Sequence, residues 1–400
     1  MPEHETGVGW RGRIRTFNPL IQSQVPYRLA TRQRLRRAHE KALDRRSFYG
    51  WPEVDANAIA REGRLTAIPE RFRAYAVDRP DGTFERGIRD AGPEGLPSGD
   101  VEIRVEWSSV NFKDGLAATE DGKVARKYPL ILGIDLAGEV VTSTDPMIRV
   151  GTKVIAHGYD LGTSRHGGFA EYARVPAEWV VPVPPGLSTR DSMAIGTAGF
   201  TAAMAISALE ERGLEPANGP VLVTGASGGV GSTATSILAE LGYEVWAATG
   251  KDDERAWLTT LGAVGFLTRE ECSAEGRPLE SERWAAAVDS VGAATLPYIL
   301  RTLKREGAVA ACGNASGPAL TTTVFPFILR GVALLGMDSA YLPLARRRRL
   351  WARLATDLRP RDLAERVTEV PLEEVETALD AIVRGDARGR WLVRVAAPEV

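Results

Sequence analysis

The sequence predicts an α/β protein of two domains, one β-rich and one built on a doubly wound parallel sheet. Three observations predict this. The chain is 400 residues long, enough for two hydrophobic cores rather than one. Between about Phe72 and Pro185 short runs alternate apolar and polar residues, the period of half-buried strands. From about Ser192 onward strand-like runs alternate with helical ones, the rhythm of a parallel sheet covered on both faces.

Residues 1–66 stand apart as a basic N-terminal extension. Arg28 to Arg46 holds seven arginines and a lysine with little apolar periodicity. Three readings are open: a disordered basic arm, an organelle transit peptide, or a start placed too far upstream. The last needs a non-Met start, for example near Val54, because no Met lies between Met1 and Met147.

Residues 67–190 and 341–400 are assigned to the β-rich domain and 191–340 to the parallel-sheet domain. Within the first, Val101–Trp107 alternates cleanly. Leu130–Leu132 and Leu136–Val141 follow around Gly133, then Gly151–Ile155 after a polar turn. The prolines of Glu178–Pro185 close the region because they cannot continue a ladder. A helix is expected over Ser192–Arg212. Strands follow near Val221–Thr224, Glu244–Ala248, Gly265–Leu267, Ala286–Asp289, Ala308–Ala311 and Val332–Leu335, with helices between them. After about Ala340 come one helix, Ala345–Leu358, and a closing strand, Trp391–Val395, that returns to the first domain.

Gly225-Ala-Ser-Gly228-Gly-Val-Gly231 lies between the strand at Val221 and the helix from Ser232. Glycines at such a turn let the backbone approach a pyrophosphate, whose charge suits a helix N-terminus. The spacing is G-x-x-G-x-x-G, a variant of the usual fingerprint, and the next strand follows on schedule. At its end an NAD site places Asp or Glu, roughly 20 residues on, for the ribose 2′-hydroxyl. This chain has Thr249-Gly250-Lys251. A hydroxyl, a free N–H and a lysine bind a 2′-phosphate that a carboxylate would repel. The expected cofactor is NADPH. In the competing reading Lys251 is solvated and Asp252-Asp253 cap the next helix.

Net charge is −2, so nothing marks nucleic acid as a partner. Two cysteines, Cys272 and Cys312, rule out a disulfide framework and fit a reducing compartment. No apolar run is read as a membrane span and the N-terminus lacks a secretory core. A soluble cytoplasmic protein is expected.

More specific are Ser108-Ser-Val-Asn111-Phe-Lys113-Asp114, Gly133-Ile-Asp135-Leu-Ala-Gly138, Gly196-Thr-Ala-Gly-Phe-Thr201-Ala, Val223–Ser232, Ala310-Ala-Cys312-Gly and Thr322–Arg330. On these the chain, from about 72 to 396, resembles the zinc-free acryloyl-CoA reductase branch of the medium-chain dehydrogenase/reductase superfamily, related to quinone oxidoreductases. The resemblance implies a GroES-like catalytic domain beside a Rossmann domain, and a homodimer, with Val332–Leu335 at a sheet edge.

Catalytic zinc needs three protein ligands and an open position. The chain has only His4, His39, His157 and His166 besides its two cysteines, and Gly133-Ile134-Asp135 stands where the zinc enzymes carry Gly-His-Glu. His157 and His166 are expected to line or cap a cleft. Without a Lewis acid the natural reaction is reduction of a polarised C=C: hydride passes from NADPH to the β-carbon, and a proton is added at the α-carbon. The site must align the partners and donate hydrogen bonds to the enolate oxygen. The alternative is an NADPH:quinone or enone oxidoreductase, and a third reading is a catalytically idle NADPH-binding protein.

Catalytic candidates are Asn111, Phe112, Lys113 and Asp114. Asn111 either donates its amide to substrate or ribose or forms a turn. Phe112 borders the nicotinamide where relatives carry Tyr, which removes a hydroxyl as proton donor and leaves solvent or another group to protonate the α-carbon. Lys113 and Asp114 are either catalytic or an ion pair opening a helix. The resemblance further implies Ser227, Gly228, Gly229 and Val230 at the pyrophosphate. Thr249, Gly250 and Lys251 fall at the 2′-phosphate, Arg269 either reaches the 2′-phosphate or adenine edge or is a surface arginine, and Thr201 and Asn314 lie toward the nicotinamide half. Cys312 reads as a small buried residue. Arg346–Arg349 read as a solvated helix face, or, with Arg330, as a clamp for CoA phosphates. No role is carried over to Arg384.

Overall fold

The structure, a computed structural model, describes residues 68–396 apart from 362, 364 and 365. The readings of residues 1–66 lie outside the described residues.

The β-rich part opens with β1 (Phe72–Asp78), β2 (Glu85–Ala91), β3 (Val101–Val110), the short helix α1 (Phe112–Ala117) and β4 (Leu130–Ile131). It continues with β5 (Asp135–Ser143), β6 (Lys153–His157), β7 (Tyr172–Val175) and β8 (Val180–Pro182). Along β3, Val101, Ile103 and Val105 are buried while Glu102 and Arg104 are half-buried, so the alternation read from sequence marks a true core face. β2, β1 and β4 form a small antiparallel sheet.

Helix α2 (Thr189–Glu210) follows, opened by a reciprocal cap between Ser188 and Asp191. It is the one described helix long and apolar enough to cross a membrane, yet 83% of its apolar window is buried within the protein. That corrects the reading of no span-length apolar run. The helix packs against β3, β5, β6 and the segments 229–240 and 303–311, and a helix covered all round is apolar all round.

Then β9 (Val221–Thr224), α3 (Gly229–Glu240), β10 (Val245–Ala248), α4 (Arg255–Thr260), β11 (Ala263–Leu267) and α5 (Arg269–Ser273) alternate. β12 (Trp284–Asp289), α6 (Thr295–Thr302), β13 (Leu303–Ala311), α7 (Phe325–Arg330) and β14 (Ala333–Gly336) complete the unit. The strands pair in parallel in the order β11-β10-β9-β12-β13-β14. The order reverses between β9 and β12, and ligands of open α/β sheets bind at the carboxyl ends of such a switch.

The tail holds α8 (Leu344–Leu354), β15 (Val367–Pro371), α9 (Val375–Arg384) and β16 (Arg390–Arg394). β16 does return, antiparallel to β3 and parallel to β15, in the sheet β15-β16-β3-β5-β6-β8. The expectation of one helix and one strand here is corrected. β15 is an edge strand with only Val370 buried, without the alternation that marks a core face. α9 is a ten-residue helix, seated by Val375, Ala378 and Leu379 in the β-domain core. α8 stops at Leu354 rather than Leu358, and its Leu350, Trp351 and Leu354 join the core that covers the parallel sheet.

Candidate active site

The glycine loop leaves β9 at the switch point. α3 begins at Gly229 with Gly228 as its cap residue and no side chain over its first amides, which leaves those N–H groups open to an anion. Gly231 passes so close to Gly225 O that a Cβ would lie 2.3 Å from it. Val230 is half-buried beside it.

At the end of β10 the cofactor candidates meet. Ser227 Oγ lies 3.3 Å from Thr249 Oγ1, which accepts the Lys251 backbone N–H at 3.1 Å. The Arg269 guanidinium lies over Gly250, 3.0 Å from where a Cβ would sit. Lys251 Nζ donates to a carbonyl, Ala387 O, at 3.0 Å rather than to a carboxylate. Asp252 is turned to Arg255 at 2.8 Å. Ser227, Thr249, Gly250, Lys251 and Arg269 therefore form one cluster of donors and cations, which fits a dinucleotide with a 2′-phosphate. Asn314 is exposed after β13, with its Cα 3.3 Å from a Cβ built on Gly292. It sits across the switch point from that cluster. Thr201 is buried on α2, its Oγ1 2.7 Å from Thr197 O and 2.9 Å from Ser339 Oγ.

The catalytic candidates sit where β3 ends. Asn111 caps α1, and Asp114 answers it: the Asn111 N–H donates to Asp114 Oδ2 and the Ile134 N–H to Asp114 Oδ1, both at 2.8 Å. The Lys113–Asp114 ion pair is thus corrected. Asp114 is wholly buried and held by backbone amides, while Lys113 is exposed. Phe112 is 41% exposed on the same turn.

The Asn111 side chain faces inward. Its Nδ2 donates to Asp135 Oδ2 at 3.0 Å and lies 3.2 Å from Ser109 O, and its Oδ1 accepts from Arg390 Nη1 at 3.2 Å. Arg390 also donates to Val110 O at 3.1 Å and to the Ser109 hydroxyl, which itself donates to Asp135. Asp135 further accepts from Ser109 N at 3.1 Å and Thr197 N at 2.9 Å. A kink in α2 at Gly196 admits this arrangement, since a Cβ there would strike Arg390 and Ser109. Asp135 and Arg390 are the residues the sequence reading gave no role. Arg390 falls just outside the expected strand at Trp391, although an arginine on a strand returning to a core is itself a signal.

Two acids and one arginine are buried together. Burial, then the charge of Asp135, pushes the Asp114 carboxyl up to about 7 against the three N–H groups that favour its ionised form. Burial lowers Arg390 against the pull of both acids.

The remaining candidates serve elsewhere. His157 is buried rather than lining a cleft: its Nε2 accepts from Trp351 Nε1 at 3.0 Å, its ring packs 4.5 Å from Phe200, and burial holds its pKa well below the usual value. His166 Nδ1 accepts the Ile131 N–H at 3.1 Å. Among the described residues no three His, Cys, Asp or Glu side chains gather to hold a metal. Arg347 corrects the solvated reading of Arg346–Arg349, being fully buried with its guanidinium on His157 O at 2.9 Å and Ala340 O at 2.9 Å. Arg330 donates to Arg301 O and Leu303 O, each at 3.0 Å. Burial pushes the thiols of Cys272 and Cys312 up to about 12, which makes both poor nucleophiles.

An open glycine loop at a sheet switch point, facing a buried acid–asparagine–arginine network on a second domain, defines a dinucleotide-dependent oxidoreductase. Residues 97–185 match the alcohol dehydrogenase GroES-like domain and residues 229–355 the zinc-binding dehydrogenase domain. The chain is 46% identical over 329 residues to acrylyl-CoA reductase AcuI of Ruegeria pomeroyi, covering 82% of this chain and 100% of that protein. The yhdH oxidoreductase of Salmonella enterica, solved with NADP, is 46% identical at a TM-score of 0.79, over 81% of this chain and all of that one. The yhfP protein of Bacillus subtilis, which carries the name of a quinone oxidoreductase and was solved with NAD, is 43% identical in its structure at a TM-score of 0.80, over 82% of this chain and all of that one. The chain belongs to the medium-chain dehydrogenase/reductase superfamily, in the branch that holds the acrylyl-CoA reductases.

Proposed function

We propose that the chain reduces the C=C bond of a short α,β-unsaturated acyl-CoA, acryloyl-CoA to propanoyl-CoA above all, with NADPH. The observation that carries the cofactor is the Thr249-Gly250-Lys251 and Arg269 cluster, cationic and without a carboxylate at the end of β10. The similarity to an acrylyl-CoA reductase over the whole of that relative supports the substrate.

NADPH, when bound, would supply the hydride that the β-carbon takes up. The chain's own residues hold and orient. Ser227–Val230 bind the pyrophosphate at the N-terminus of α3. Thr249, Gly250, Lys251 and Arg269 bind the 2′-phosphate, and Phe112, Thr201 and Asn314 border the nicotinamide half. Asn111, fixed by Asp114, Asp135 and Arg390, sets the turn that presents Phe112 and Lys113. Phe112 carries no proton to give, so the α-carbon takes its proton from solvent or another group.

Reduction of a quinone or enone is the second reading, favoured by the likeness to a protein named as a quinone oxidoreductase. Steady-state NADPH oxidation with acryloyl-CoA, crotonyl-CoA and a benzoquinone separates the two; turnover with quinone alone overturns the first.

We further propose a cytoplasmic homodimer, its domains divided at 67–190 with 341–400 and at 191–340. β14 is an edge strand, and α7 beside it exposes Ile328 by 68% and Leu329 by 51%, with Val324 at its cap by 62%. An unpaired edge next to exposed apolar side chains is a surface that association covers.

A further inference from the structure

The two ends of the site are joined by one short segment. Residues 385–389 connect α9 to β16 and are bounded by glycines in the left-handed region, Gly385 at φ 78° and Gly389 at φ 60°. The segment lies across the nucleotide-binding residues. The Gly389 N–H donates to Ser227 O at 3.0 Å, and Ala387 O holds the Lys251 ammonium at 3.0 Å. The Arg388 guanidinium sits over the Trp257 ring at 5.4 Å and 3.5 Å from Glu254. Directly after Gly389 comes Arg390, which donates to Ser109 and Asn111. On its other side α9 packs on α1, with Ile382 and Val383 against Gly115. The strap thus touches the 2′-phosphate cluster at one end and the catalytic network at the other.

We propose that this strap makes the protein respond to the 2′-phosphate: residues 385–389 hold Lys251 ready for it, and its binding in turn fixes the strap and, through it, Arg390. The inference rests on the reading of Thr249–Lys251 as a 2′-phosphate site. An ammonium has three N–H donors and no acceptor. One is given to Ala387, so two remain for a phosphate oxygen while the first stays in place. A carbonyl orients the lysine without neutralising it, so the charge seen by a dianion is undiminished. NAD shares the pyrophosphate that Ser227 meets but lacks the group that engages Lys251, so it fixes the strap less than NADP does.

The experiment is amide hydrogen exchange of the full chain, free and saturated with NADP⁺ or NAD⁺, followed on peptides covering 385–390, with dissociation constants measured alongside. The expected result is slower exchange of these residues with NADP⁺ than with NAD⁺. Lys251→Met should weaken NADP⁺ by about 10-fold or more, the scale of one charge-assisted bond, and abolish the extra protection even at saturation. Gly389→Val, whose side chain would meet Arg366 O within 2.6 Å, should weaken NADP⁺ more than NAD⁺, although it touches no 2′-phosphate. Equal protection by the two nucleotides, with Lys251→Met still weakening NADP⁺, overturns the strap and leaves the 2′-phosphate site standing. An unchanged NADP⁺ affinity in Lys251→Met overturns the site itself.

Discussion

Replacing Arg390 by methionine keeps much of the side chain's bulk and removes its charge. Three hydrogen bonds vanish, to Val110 O, Asn111 Oδ1 and Ser109 Oγ. Two buried carboxyls, Asp114 and Asp135, are then left with no cation beside them. Breaking a buried charge constellation on one side costs about 3–5 kcal/mol. With an unfolding entropy of about 2.1 cal/mol/K per residue over the described region, that corresponds to a melting point lower by about 4–7 °C. The loss should reach activity too, because Asn111 loses the partner of its Oδ1 and the turn that presents Phe112 loosens. Differential scanning fluorimetry at pH 7 gives the first quantity and kcat/KM with NADPH the second. Arg390→Lys should recover part of the stability, since a point charge satisfies the acids but not the fork of acceptors. A melting point and kcat/KM both unchanged in Arg390→Met would refute the reasoning.

Removing Lys251 and Arg269 together should raise the NADPH dissociation constant by about two to four orders of magnitude, at about 1.5–3 kcal/mol per charged hydrogen bond, with little change for NADH; fluorescence titration of both nucleotides checks this. Asp114 gives a pH signature. Its folded pKa, about 7, lies above the unfolded carboxyl value, so the native state favours the protonated form. That contribution is fully present below about pH 4 and lost as pH rises through about 7. Chemical denaturation at pH 5 and pH 8 should show the wild type losing on the order of 2 kcal/mol relative to Asp114→Asn. Ile328→Glu with Leu329→Glu should turn a dimer into a monomer by light scattering, without loss of helix content.

Much of the fold was legible because its periods are strong. β3 alternates, the glycine loop stands between a strand and a helix, and the parallel strands recur on schedule. β15 escapes the reading because only Val370 of its five residues is buried and no alternation marks it, whereas α9 carries a legible helical period, Val375, Ala378, Leu379 and Ile382, that the reading passes over. The grouping of Ser227, Thr249, Gly250, Lys251 and Arg269 is legible, since each falls just after a strand. The catalytic side was less so. Asn111 and Asp114 were found, but their capping geometry turns them toward the backbone, and only the returned strand brings Arg390, some 280 residues away in sequence, into contact with Asn111. Arg347 misled for a similar reason: four arginines in a row look solvated until one of them is placed against the carbonyls of a neighbouring loop.

The central claim is a reductase that takes its hydride from NADPH and gives it to an acryloyl thioester. The direct measurement is kcat/KM for acryloyl-CoA with NADPH and with NADH, product identified as propanoyl-CoA, beside the same assay with a benzoquinone. The account predicts propanoyl-CoA formed with a strong preference for NADPH. Nucleotide oxidation with the quinone alone, or equal rates with NADH, would contradict it.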